Sequence, residues 1–165
     1  MNPESERPSA PLEIHRVRAS EVRAWAEMRV ALLSEVGFEA PGGNSPDLQA
    51  SIESWLRWRL LSPGFAAFVA GVGGELVGSG GVSIYDVPPG TTAGAREGYV
   101  MSMYTIPAYR GRGVARAILA GLIDFARSCE VGRVWLRASA MGRPGYEKAG
   151  FQDYDRYMHL DLRGK

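Results

Sequence analysis

The chain has 165 residues, 45% apolar and 22% charged, with a formal net charge of +1. That is the make-up of an ordinary globular domain, with no general attraction to nucleic acid or an anionic membrane. Its single cysteine, Cys129, excludes an internal disulfide and suits a cytoplasmic location, and no apolar run approaches the roughly 20 residues that a membrane helix needs.

Residues 1–11 carry three prolines and several charges, with no basic-then-apolar leader, and read as a flexible tail before a single domain over 12–165. Leu12 to Arg18 alternates apolar and polar residues, the pattern of a half-buried strand. Ser20 suits a helix cap. Val22, Trp25, Met28 or Arg29, Leu32 and Val36 then recur at helical spacing, and Gly37 is a fitting stop. A Gly/Pro/Asn loop spans Ala40 to Ser45. Ser45-Pro46-Asp47 resembles a second helix start, with Leu48, Ile52, Trp55, Leu56 and Leu60 as its stripe and Ser62-Pro63-Gly64 as its end. Trp25, Trp55 and Trp58 are expected to pack between these two helices.

Phe65 to Val72 and Glu75 to Tyr85 read as strands joined at Gly73-Gly74, a hairpin signal. Asp86 to Ala95 reads as a Pro/Gly/Thr loop, and Glu97 to Ile106 as a third strand. After Pro107 to Gly113, a turn, comes a strong amphipathic helix with Val114, Ile118, Leu122, Phe125 and Cys129 on one face. Cys129 is expected in the core. A short strand at Val134 to Ala138, a short helix at Arg143 to Ala149 closed by Gly150, and closing strands from Phe151 and over Tyr157 to Leu162 complete the chain. The order predicts an α/β (α+β) domain. Its central sheet is mixed but mostly antiparallel, with about six or seven strands, flanked by about four helices.

The most informative segment runs from Tyr99 to Leu119, a strand entering a glycine-containing turn that opens a helix. First-turn amides of a helix lack intrahelical partners and lie at the positive end of its dipole. Glycines let the backbone approach a ligand closely. Together they make an anion site suited to a pyrophosphate, with Arg110, Arg112 and Arg116 adding charge. Three readings compete: a plain strand-to-helix turn with solvated arginines, a dinucleotide fingerprint, and a nucleotide P-loop. The dinucleotide fingerprint needs a third glycine where Arg116 stands, and the Gly-Lys-Ser/Thr ending of a P-loop is absent.

Arg110-Gly111-Arg112-Gly113-Val114-Ala115 resembles the Gln/Arg-x-x-Gly-x-Gly/Ala signature of the GNAT superfamily of N-acetyltransferases. Ile106-Pro107-Ala108-Tyr109 resembles the lead-in to it, and Gly145-Tyr146-Glu147-Lys148-Ala149-Gly150-Phe151 resembles the family's second landmark. The resemblance implies a bulged central strand against which the pantetheine arm of acetyl-CoA pairs at Met103, Tyr104 and Thr105. It implies a pyrophosphate on the amides of Gly111 to Arg116, an oxyanion donor near Met103, and Tyr146 as general acid. Glu97, which alternates with Tyr99, Met101 and Met103, is a candidate base. It also reads as a solvated residue at a strand start, and the family's usual acid position falls nearer Tyr99. Glu35 and Asp47 are candidates to bind a cationic amine. Where the family often carries an asparagine motif, this chain has Ser139, Gly142 and Gly145. Ser139 can still bond a pantetheine or backbone group.

The implied reaction is direct transfer of acetyl to an amine, on a small molecule or a protein N-terminus, in a ternary complex. The alternative is a non-catalytic acyl-CoA-binding regulatory module. No metal is expected, since no His/Cys/Asp cluster has ligand spacing. A homodimer is an expectation by analogy with the family.

Overall fold

Gly73 and Gly74 take φ of 59° and 87°, as a two-residue turn between twisted strands requires. In the computed structural model, which describes residues 10–37, 46–91, 94–154, 157–160 and 162, this turn joins β2 (Phe65–Val72) antiparallel to β3 (Glu75–Thr91). β1 (Leu12–Arg16) pairs with β2, and β4 (Gly94–Thr105) returns along β3, both antiparallel. β5 (Arg133–Trp135) joins β4 in parallel, because α3 (Val114–Ser128) carries the chain back across the sheet between them. The strands lie in chain order, β1-β2-β3-β4-β5.

Alternation along the strands divides the core in two. α1 (Val22–Glu35) and α2 (Pro46–Arg59) cover one face, where Trp25, Met28 and Leu56 pack on Phe65, Ala67 and Val69, with Met101 beside them. On the other face Val114, Ile118 and Leu122 of α3 meet Val82 and Val100. Glycines let α3 lie close to β3. A Cβ on Gly78 would stand 2.6 Å from Val114, and one on Gly80 would stand 2.6 Å from Met103 and 2.7 Å from Ile118. This close seat brings the start of α3 to the end of β4. α4 (Arg143–Lys148) follows β5.

The expected mixed, mostly antiparallel α/β class and the four α-helices are present, with five strands among the described residues in place of six or seven. Residues 151–154 and 157–160 carry no strand. β5, only three residues long, offers a following strand little ladder to extend. Tyr157 instead stacks on Trp135 at 5.2 Å between ring centroids. The loop expected from Asp86 to Ala95 is a continuation of the β3–β4 arm as far as the Thr91–Gly94 pair, with irregular register after Asp86. Prolines are tolerated in such irregular ladder.

Ser20 does not cap α1. It lies inside a 3-10 turn, Ala19–Glu21, and Glu21 supplies the acceptor, taking the Arg18 amide at 2.8 Å and His15 at 2.8 Å. Trp25 is buried and Trp55 stacks on it at 6.3 Å, but Trp58 points outward, 64% exposed. Ile52, Leu56 and Leu60 hold the inward stripe of α2, and Trp58 falls off that face. Cys129 is half-buried, at the C-cap of α3 instead of within the core. The expected Ser45 cap, the loop from Ala40 to Ser45 and residues 1–9 of the tail lie outside the described residues.

Candidate active site

On β4 the register passes from Tyr104 opposite Ser79 to Met101 opposite Gly81. Ser102 and Met103 therefore share the single opposing Gly80, which defines a bulge. Ser102 takes φ of 56°, a left-handed value uncommon for a residue other than glycine. It is buried, and its carbonyl accepts the Ser79 hydroxyl at 3.3 Å. The bulge corrects the expected alternation. Tyr99 and Met101 face α1 and α2 together with Glu97, but Met103 turns to the α3 face against Gly80, and Tyr104 takes the α1 side.

β5 pairs with β4 over Glu97 to Tyr99 alone. From Val100 to Thr105 that edge of β4 has no strand partner among the described residues, so β4 and β5 part after Tyr99. Thr105, at the end of the split, has a buried hydroxyl with no hydrogen-bond partner, an arrangement proteins avoid unless something else completes it.

A 3-10 turn, Pro107–Tyr109, then leads to Gly111 and Gly113, with φ of 74° and 82°. A Cβ at either would point into open space. Gly113 is the N-cap of α3, has no side-chain cap, and accepts the first helical bond from Ala117 at 3.0 Å. The amides of Val114, Ala115 and Arg116 thus start the helix without intrahelical acceptors. Arg112 and Arg116 are exposed beside them, Arg112 lying over the Tyr109 ring at 5.5 Å. Arg110 is otherwise engaged. Its Nη2 donates to both Glu35 oxygens, at 2.7 and 2.8 Å, and its Nε to the Thr105 carbonyl at 3.0 Å. It braces the turn against α1, and it occupies Glu35, which also accepts the Tyr104 hydroxyl at 3.2 Å. Asp47 is exposed at the start of α2. The bare glycines, uncapped amides and orphaned hydroxyl fit an extended amide chain ending in a pyrophosphate.

Tyr146 of α4 is half-buried, edge-to-face with Phe151 at 5.9 Å. Burial first, and the neighbouring Tyr99 second, push its phenol above the ordinary tyrosine value. The group therefore keeps its proton, and its hydroxyl has no hydrogen-bond partner among the described residues. A cavity of about 700 Å³ opens beside it, between β5, α4 and the chain after Phe151. Ser139 accepts the Gly142 amide at 3.1 Å and so ties the turn into α4.

Glu97 is 7% exposed, not solvated. One carboxylate oxygen takes Arg133 through Nη2 and Nε, and the other takes the Tyr85 hydroxyl at 3.0 Å. Tyr85 in turn accepts Trp135 Nε1 at 2.6 Å. The Arg133 hydrogen bonds, opposed by desolvation and helped by Tyr85, hold the Glu97 carboxyl below the usual glutamate value. Tyr99 packs on Trp135 at 4.4 Å in the same floor. Arg59 of α2 reaches Ser83 beside this cluster, and Arg29 of α1 lies near Tyr99. Sequence reasoning did not single them out, because an arginine on an amphipathic helix carries no motif. Among the described residues no group of His, Cys, Asp or Glu is placed to hold a metal, and no helix is long and apolar enough to cross a membrane.

Residues 25–151 match the model of the Acetyltransferase (GNAT) family. Over 89 residues the chain is 36% identical to a glucosamine 6-phosphate N-acetyltransferase of Trypanosoma brucei brucei. The matched stretch covers 54% of this chain and 59% of that relative, under two thirds of its length. A structure described as a predicted acetyltransferase with acetyl-CoA from Clostridium acetobutylicum superposes with a TM-score of 0.81 at 26% identity, covering 92% of this chain and 97% of the other. A Trypanosoma brucei acetyltransferase structure gives 0.63 at 28% identity, over 92% of this chain and 100% of the other.

Proposed function

Because the chain belongs to the acetyltransferase (GNAT) family, we propose that it transfers an acetyl group from acetyl-CoA to the amine of a small molecule, by direct attack in a ternary complex within the single domain over 12–165. The observation that carries this reading is the split between β4 and β5, which ends at the uncapped glycine turn.

The free edge of β4 through Met103, Tyr104 and Thr105 receives the pantetheine arm as an added strand would be received. The amides from Gly111 to Arg116 hold the pyrophosphate, with Arg112 and Arg116 adding charge and Arg110 keeping the turn against Glu35. Ser139 steadies α4, which carries Tyr146. When bound, acetyl-CoA supplies the thioester whose acyl carbon the amine attacks. The N–C bond forms as the C–S bond breaks, and a backbone amide at the bulge, near Met103, stabilises the acyl oxygen as it gains charge. Tyr146 gives its proton to the departing sulfur, the nitrogen releases one proton to solvent as it becomes the amide, and Tyr146 regains a proton from solvent.

Glu97 is suited to a different part. A carboxylate tied to Arg133 and Tyr85, with its pKa lowered, is a poor base. Glu97 therefore holds the floor under the acceptor, and the amine enters neutral after losing its proton to water.

Calorimetry with acetyl-CoA and a thiol-release assay over a panel of amines test the reading. Binding together with amine-dependent thiol release supports it. No binding of acetyl-CoA overturns it. Binding without turnover of any amine, and with Tyr146→Phe unchanged, assigns the chain to non-catalytic acyl-CoA recognition.

A further inference from the structure

Ser83 of β3 and Tyr99 of β4 are direct partners in the sheet, on the face covered by α1 and α2. Each of these helices brings an arginine to this side of the sheet. Arg59, the last residue of α2, donates from Nη2 to Ser83 Oγ at 2.7 Å, and its guanidinium lies 5.0 Å from the centre of the Phe65 ring. Arg29 lies one turn beyond the buried Trp25 on α1. It is half-buried and near Tyr99.

Among the described residues neither arginine has a carboxylate partner. The acids around them are committed elsewhere: Glu27 to Arg23, Glu35 to Arg110, Glu53 to Arg57 and Glu97 to Arg133. Withdrawing a guanidinium from water without a counter-charge is costly, and here one is bonded to Ser83 and another lies near its register partner Tyr99. Each has donor groups to spare in a planar fork that matches carboxylate or phosphate oxygens. The start of α3, where the cofactor pyrophosphate is proposed to lie, packs on the opposite face, so these arginines are not part of that anion site.

We infer that half-buried Arg29 of α1 and Arg59 of α2, beside the paired Ser83 and Tyr99, form a subsite for an anionic group, phosphate or carboxylate, on the amine acceptor. The inference rests on the acetyltransferase reading above. It places the acceptor among amines that carry a negative charge, not among polycations, and gives Ser83 and Tyr99 hydroxyls to the same group.

Rates with acetyl-CoA on matched amines decide it: glucosamine 6-phosphate against glucosamine, and an α-amino acid against its amide. The wild type is expected to prefer the anionic member of at least one pair by about tenfold or more in kcat/KM, carried mainly by KM. Arg29→Gln and Arg59→Gln should each abolish that preference while acetyl-CoA affinity by calorimetry is kept, and Arg29→Lys should recover part of it. Melting curves check that the variants fold. No preference for the anion in either pair, or a preference that survives both glutamine variants, overturns the inference. Comparing the phosphate pair with the carboxylate pair tells which anion is read. Failure of acetyl-CoA to bind the wild type overturns the acetyltransferase reading as well, and the titration registers that separately.

Discussion

Between Thr105 and Arg116 the proposed donor site is made of backbone: an unpaired strand edge, two glycines at positive φ, and the uncapped amides that open α3. Across the sheet, the proposed acceptor floor is made of side chains: Arg29, Arg59, Ser83, Tyr99 and the cluster of Glu97, Arg133, Tyr85 and Trp135. A backbone site needs particular residues at particular neighbouring positions, so it leaves a compact signature. A side-chain site needs only that something of the right chemistry reach the place, and the reaching residues come from five separate elements.

Five substitutions probe the contrast, in falling order of expected effect. Tyr146→Phe removes the proposed acid while leaving both sites standing. Its kcat should fall by about 100-fold or more, with acetyl-CoA affinity retained, as steady-state rates and calorimetry will show. In the wild type burial keeps the Tyr146 phenol protonated, so loss of activity from this group should set in at higher pH than the titration of an ordinary tyrosine.

Gly80→Ala attacks the donor side through packing. Its Cβ would meet Met103 and Ile118 at distances no relaxed contact shows. We expect a loss of about 2–3 kcal/mol in denaturant unfolding, together with weaker acetyl-CoA binding as α3 is pushed from its seat.

Glu97→Gln tests the acceptor floor. Loss of the Arg133 pair should cost about 2 kcal/mol near neutral pH, while turnover persists. A turnover loss as large as that of Tyr146→Phe would show instead that Glu97 is the base. Because the Glu97 pKa is depressed on folding, its contribution is present above the ordinary glutamate value and is lost as pH falls through the folded value. The stability gap between wild type and variant should therefore close in acid, which melting curves from neutral pH downward will register.

The smallest contrast lies within the glycine turn. Gly113→Ala should cost about 1–2 kcal/mol from its positive φ and weaken acetyl-CoA binding. Arg112→Gln, an exposed side chain over Tyr109, should change stability by less than about 0.5 kcal/mol and binding by less than Gly113→Ala. The opposite order would mean that side chains, not amides, hold the anion.

The helix from Val114, the hairpin at Gly73-Gly74 and the glycine turn were legible because each follows from residues close together in sequence: a period of three to four, a two-residue turn, an open backbone. The bulge was implied only by resemblance, and its effect on Met103 was missed. A strand pattern carries no mark of where an extra residue will be inserted. The tie between Arg110 and Glu35 was equally hidden, since nothing near Arg110 in sequence announces an acid arriving from α1.

By itself the sequence determined the fold class, the order of the elements from β1 to α4 and the place of the glycine turn, since periodicity, glycine and helix-start chemistry are local properties of the chain. Tertiary structure alone decided that β4 and β5 part after Tyr99, that Glu97 is bound to Arg133, and that Arg59 reaches Ser83 while Arg29 lies near Tyr99. Those outcomes depend on strand register and helix seating, which bring together groups far apart along the chain and give an arginine on a helix face either a carboxylate to bind or none.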